Sequence, residues 1–260
     1  MNADEFGAGE AAASDASGIR QPRRQPIINA PSVVMVLCAV LIIIHVALQL
    51  VSDKLANQII LALAFMPARF LSASELGGML LPGGEITRVT SFFSYALLHG
   101  SWTHLFMNVI WMLAFGSVAA RRLGATRFML LSMVSAAVAA VFSLVIGWGT
   151  DSILVGASGA IAGQMAVAIR LIFADGGTLM TGLRKDLRLV PSEPLVKLFT
   201  NPAAVTFVAI WLGVDMISAS SGLLTDARVA WEAHLGGFLA GLLMFGLVDP
   251  KKYFPTETCG

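Results

Sequence analysis

The sequence predicts an all-α polytopic membrane protein with six transmembrane helices, and two observations carry that class. Of 260 residues, 57% are hydrophobic and only 13% charged, where a water-soluble domain averages about 45–50% and about 25%. So little charge cannot coat a water-facing surface of this size, and the mean hydropathy of +0.79 agrees. Second, apolar runs near the ~20 residues that a bilayer crossing requires recur along the chain, each bounded by Pro, Asn, Gly or charge. A net charge of +1 with no dominant basic block excludes nucleic acid as a partner, and the apolar content excludes a disordered chain. The two cysteines, Cys38 in an apolar run and Cys259 near the end, form neither a disulfide framework nor a metal spacing.

The first span is Ser32–Val51, opened by Asn29-Ala-Pro31 and closed by Ser52-Asp53-Lys54. Ser101–Ala120 is the second, ended by Arg121-Arg122. Phe128–Trp148 is the third, followed by the turn Gly149-Thr150-Asp151. Ile153–Ala174 is the fourth, ended by Asp175-Gly176-Gly177. Ala203–Ser218 is the fifth, announced by Asn201-Pro202, and Ala230–Val248 is the sixth, stopped by Asp249-Pro250. About fifty residues separate the first two spans, too many for a turn. Within them the apolar run Ile59–Met66 is too short to cross and predicts an interfacial or re-entrant helix.

Basic residues set the orientation, because cytoplasmic loops carry the excess of Lys and Arg. With the N-terminus inside, 13 of the 17 basic residues fall on the cytoplasmic side, leaving Lys54, Arg69, Arg88 and Arg228 outside. Both termini are then cytoplasmic. Residues 1–27 are rich in Ala, Gly and Ser, carry four acids, and lack the basic start and apolar run of a signal peptide. They read as a disordered cytoplasmic tail, residues 28–250 as the membrane domain, and residues 251–260 as a second cytoplasmic tail. A short acid-bearing N-terminus and compact loops point to a bacterial inner membrane. No internal repeat stands out, which speaks against a transporter built from inverted halves.

Polar residues inside a membrane are costly, so each is a functional candidate. Ser158 lies in Gly156-Ala-Ser158-Gly159, a string that small-residue packing also explains. Counted from Asp151 and Ser152, it lies about 10 Å into a helix at about 1.5 Å per residue. If a helix begins near the serine, free N–H groups face it. A serine hydroxyl needs a base, and His234, about four residues into span six from the same side, matches its depth. Gly237 and Gly241 follow on the face of His234, and Gly159 with Gly163 makes a matching small-residue stripe on span four. Two such stripes let backbones approach closely enough for a Ser–His hydrogen bond. His104 and Asn108, at i and i+4 on span two, share a face near its outer end. They can donate to an oxygen that becomes negative in a tetrahedral intermediate, or simply bridge helices. His45 reads as an interfacial histidine without a special role. Asp215, with Trp211 at i−4, is a candidate third triad member, but no carboxylate is well placed by sequence to orient His234 and Glu232 at i−2 points elsewhere, so Asp215 reads as structural. A Ser–His dyad is therefore expected. The twelve methionines read as packing filler. No Cys/His/acid cluster has metal-ligand spacing, so neither a metal nor another cofactor is expected.

With these residues in view, the chain resembles the rhomboid intramembrane serine proteases. The resemblance rests on His99-Gly-Ser-Trp-Thr-His104-Leu-Phe-Met-Asn108, on Gly156-Ala-Ser158-Gly159-Ala-Ile-Ala-Gly163, and on Ala233-His234-Leu-Gly-Gly237-Phe-Leu-Ala-Gly241. Arg122-Leu-Gly124 after span two also fits, and the whole runs over roughly residues 30–250 in element order. It implies a six-helix rhomboid-like bundle with a water-filled cavity opening outward. Ser158 would be nucleophile and His234 general base, and His104, Asn108 and the Ser158 backbone N–H would form the oxyanion hole. It further implies a first loop partly in the outer leaflet and a gate near span five. The implied partners are the lipid bilayer and single-span membrane proteins, cut near the outer face where a helix unwinds easily. Two positions depart from the pattern. Ala162 replaces an aromatic residue that stacks on the histidine in many relatives, and Thr87-Arg88 stands where a Trp-Arg pair is frequent. The rival readings are a non-catalytic rhomboid-like protein that binds membrane helices, and a small transporter. The first usually lacks the serine or the histidine, and the second would spread ionisable groups through the depth of several spans.

Overall fold

The computed structural model describes residues 30–72, 74, 82–182, 186–187, 189–191, 194–221 and 230–250. The tails expected at 1–27 and 251–260 lie outside the described residues. Among the described residues eight longer helices carry the fold: α1 Ser32–Leu50, α2 Asp53–Leu63, α3 Gly84–Ser94, α4 Trp102–Leu123, α5 Ala125–Ile146, α6 Ser158–Ile172, α7 Pro202–Ser221 and α8 Trp231–Val248. Short helical turns at Leu179–Gly182 and Leu195–Thr200 connect α6 to α7. Four helices, α1, α4, α5 and α8, are long and apolar enough to cross a membrane, and α6 and α7 are shorter apolar helices.

The stretch expected as one fourth span from Ile153 to Ala174 is not one helix. Its helix begins at Ser158, and the residues before it are not helical: Leu154 forms an isolated bridge and Gly156 has a positive φ. At 1.5 Å per residue, fifteen helical residues cover only about 22 Å. Where this segment is buried, at Leu154 and Gly156, its backbone N–H groups find partners. Phe65 and Leu154 exchange both N–H···O bonds, at 3.2 and 2.8 Å, and the Gly156 N–H donates to the Tyr95 carbonyl at 3.0 Å. Of the apolar run expected as an interfacial helix, Ile59–Leu63 forms the second half of α2, which has no buried residue, whereas Ala64, Phe65 and Met66 lie beyond the helix and are buried.

Helix α6 is the axis of the bundle, with every residue from Gly159 to Ile172 buried. Helices α5 and α8 flank it, and so does the middle of α4, where Met112–Gly116 widens into a π-helical turn. Small residues make this possible. On α5 the buried face runs from Phe128 and Leu131 into Ser132, Ser135, Ala136, Ala139, Ala140 and Ser143, and this small-residue part has the composition that lets membrane helices pack closely. A Cβ added at Gly237 would overlap the Gly159 carbonyl, and one at Gly241 would overlap that of Gly163. The two glycine stripes read from sequence therefore do meet, backbone on backbone. Helix α1 packs Val34, Cys38 and Leu41 into the cluster that includes Leu105 and Met112 of α4.

Far from Ser158, the ends of α4 and α8 are tied by a buried ion pair. Arg122 Nε and Nη2 donate to the two carboxylate oxygens of Asp249 at 2.7 and 2.8 Å, and Nη1 donates to the Val190 carbonyl at 2.7 Å. Both side chains are 1% exposed or less. Removing one partner of such a pair strands a buried charge and costs about 3–5 kcal/mol. Asp249→Ala should therefore lower thermal stability in detergent by that order, whereas replacing both residues with apolar ones of similar volume should cost much less. Equal losses from the two variants would contradict this account.

Candidate active site

The segment that presents Ser158 is held on two sides before its helix starts. The Phe65 ladder grips Leu154, and Tyr95, whose hydroxyl donates to the Ala136 carbonyl at 2.9 Å, receives the Gly156 N–H. Gly156 has φ +112°, a conformation that side-chain-bearing residues rarely adopt, and a Cβ there would meet His104 Nε2 at 2.6 Å. The glycine is thus required twice, by backbone conformation and by the His104 ring lying against it. Ser158 is half-buried and is the first residue of α6. The sequence expected it several residues inside a helix. As the opening residue, it stands instead among first-turn N–H groups that have no partner within the helix.

His234 lies in the first turn of α8, beside the contact that brings Gly237 onto Gly159. Its Nδ1 is 2.5 Å from Asp215 Oδ2. A carboxylate oxygen accepts, so the ring donates from Nδ1 and leaves Nε2 as its acceptor. The expectation that no carboxylate reaches His234 is corrected here. Asp215 comes from α7, the neighbouring helix, and sequence distance concealed it. Position 162 carries Ala, and Trp211, one turn before Asp215, stacks on the His234 ring at 6.3 Å between centroids and 24° between planes. The signal that could have found both was present: an acid and a tryptophan at i and i−4 inside an apolar span, where a lone acid is costly unless it has work to do.

His104 and Asn108 share a face of α4 as expected. Asn108 is buried, and its Nδ2 donates to the His104 carbonyl at 2.9 Å, leaving a second amide hydrogen. The start of α4 is capped by Ser101, whose hydroxyl accepts from the His104 N–H at 3.1 Å. All four histidines of the chain gather around this end. His99 and His104 meet edge to face at 5.1 Å, and His104 lies within electrostatic reach of both His234 and His45. Burial, followed by the neighbouring His104 and His45, pushes His99 down to about 3, so it stays neutral at physiological pH. His45, expected at the interface, is instead 2% exposed with its ring edge-on to Trp102 at 4.5 Å.

Thr87-Arg88 turns out to organise the first loop. Arg69 donates to Thr87 Oγ1 and the Pro82 carbonyl, both at 2.9 Å, and to the Leu61 carbonyl, while Arg88 Nε donates to the Arg69 carbonyl at 2.8 Å. Two arginines thus knit α2 to α3. Among the described residues no group of His, Cys, Asp and Glu could hold a metal ion.

Comparison with known proteins places the chain by its sequence. The rhomboid protease GlpG of Yersinia pestis (strain Pestoides F) is 29% identical over 160 residues, covering 62% of this chain and 48% of the relative. That of Pectobacterium atrosepticum is 26% identical over 161 residues, again 62% of this chain and 49% of the relative. The chain spans about half the length of the curated relatives it matches. The family model of the Rhomboid domain matches residues 86–250, the stretch that contains His104, Asn108, Ser158, Asp215 and His234, and the chain belongs to the rhomboid family.

Proposed function

We propose that this protein is an intramembrane serine endopeptidase that cuts single-span membrane proteins near the outer membrane face. The observation that carries the reading is the position of Ser158 as the first residue of α6, two residues after the Gly156 on which the His104 ring lies and beside the helix that bears His234. In this reading His234 Nε2 takes the Ser158 Oγ proton as Oγ attacks the scissile carbonyl, then returns it to the leaving amine. The Ser158 backbone N–H, the free amide hydrogen of Asn108 and an N–H of His104 stabilise the oxyanion. The non-helical backbone ahead of Ser158 and the polar groups around it are the kind of irregular structure tolerated at membrane depth only around a cavity or within protein. That supports α6 and α7 completing a six-span bundle, in which the serine is sunk below the membrane surface. The excess of Lys and Arg on one side supports both termini lying in the cytoplasm of a bacterial inner membrane.

The test is cleavage of a reconstituted single-span substrate in vesicles, with the cut site mapped by mass spectrometry. A serine-dependent cut within or just outside the outer third of the substrate helix is expected. Substrate that co-purifies with folded protein but is never cut would shift the reading to a helix-binding protein.

A further inference from the structure

Helix α7 touches the site through two side chains, and both land on the same ring. Asp215 Oδ2 accepts from His234 Nδ1 at 2.5 Å, and one turn earlier the Trp211 ring lies nearly parallel to the imidazole. Trp211 is itself held by Phe238 of α8, at 5.4 Å between centroids. Lower on the same helix, Phe207 packs against Phe115 and Phe173. The start of α7 is fixed by Asn201, whose Oδ1 accepts from the Ala203 N–H at 2.9 Å and whose Nδ2 donates to the Phe173 and Gly177 carbonyls. The helix that carries Asp215 and Trp211 is therefore anchored before it reaches His234.

An imidazole exists in two neutral forms, and only the one protonated at Nδ1 leaves Nε2 free to accept a proton. With nothing at Nδ1 the ring can take either form and turn about its side-chain bonds. The Asp215 carboxylate selects the Nδ1–H form, and the Trp211 face limits the tilt. The pair is 14% and 16% exposed, so little water competes for that bond. We propose that Asp215 and Trp211 are positioning residues for the base, so that this chain works with a Ser158–His234–Asp215 arrangement braced by a tryptophan. This rests on the protease reading above, and neither residue touches the reacting atoms.

The chain has only four histidines, so the ring nitrogens can be resolved individually by NMR of detergent-solubilised protein labelled with ring-15N histidine. His234→Gln assigns the signal. The expected wild-type spectrum shows His234 protonated at Nδ1 with a strongly deshielded proton, unchanged in Ser158→Ala. Asp215→Asn should abolish that proton and slow fluorophosphonate labelling of Ser158 by at least about tenfold. It should approach the ~10⁴-fold seen when an Asp-to-Asn change forces the wrong tautomer of a triad histidine. Asp215→Glu, which keeps a carboxylate, should restore the Nδ1 proton and part of the rate, and Trp211→Ala should slow labelling while keeping the proton. A wild-type His234 protonated at Nε2, or Asp215→Asn labelling within twofold of wild type, would overturn the proposal. A wild type that shows the Nδ1 proton yet leaves Ser158 unlabelled would instead overturn the protease reading on which it rests.

Discussion

Ser158→Ala should abolish covalent labelling by a fluorophosphonate probe and reduce substrate cleavage by about 10⁴-fold or more, and His234→Ala should do nearly the same. The two losses should not add. In the proposed mechanism nucleophile and base form one unit, so the double variant should be no slower than the worse single one. His104→Ala and Asn108→Ala should leave the serine labelled but slow cleavage by about 10²–10³, the usual loss when one oxyanion donor is removed. Additive losses at Ser158 and His234 would show that the two act independently, and labelling that survives in Ser158→Ala would identify a different nucleophile.

Gly237→Val should be the most damaging change outside the reacting groups. A Cβ at this position has nowhere to go, because the atom it meets is the Gly159 backbone carbonyl rather than the movable end of a side chain. Helix α8 would have to withdraw from α6, taking His234 away from Ser158. In a membrane the packing of helices supplies much of the stabilisation, since lipid tails are as apolar as the side chains. A loss above about 4 kcal/mol, seen as aggregation or loss of cooperative unfolding in detergent, is expected. Gly213→Ala is the matched control, as a Cβ there would meet nothing within 4 Å. Equal stability of Gly237→Val and Gly213→Ala would refute the close contact of the two helices.

Much of the site was legible along the chain because its logic is local. His104 and Asn108 share a face through helical spacing alone, and the stripes Gly159/Gly163 and Gly237/Gly241 announce close packing at i and i+4. Ser158 and His234 could be paired because both follow a boundary on the same membrane side. The helix start at Ser158 was less legible. Ile153, Leu154 and Val155 are as apolar as a helical span, and what holds this segment out of a helix is the bridge from Leu154 to Phe65 and the bond from the Gly156 N–H to Tyr95, both distant in sequence. The same holds for His45, whose place beside Trp102 depends on how α1 leans on α4.

Composition, apolar run length and small-residue spacing determine that this is a helical membrane protein, and which residues carry its polar chemistry. These are properties of single helices, set by burial and by a period of 3.6 residues. Only tertiary structure decides what reaches across from another helix. Asp215 lies 19 residues before His234, and no periodicity relates two helices whose crossing is set by side-chain packing. The partner of a histidine's second nitrogen is a fact about that crossing, so the fold, not the motif, makes Asp215 its acceptor.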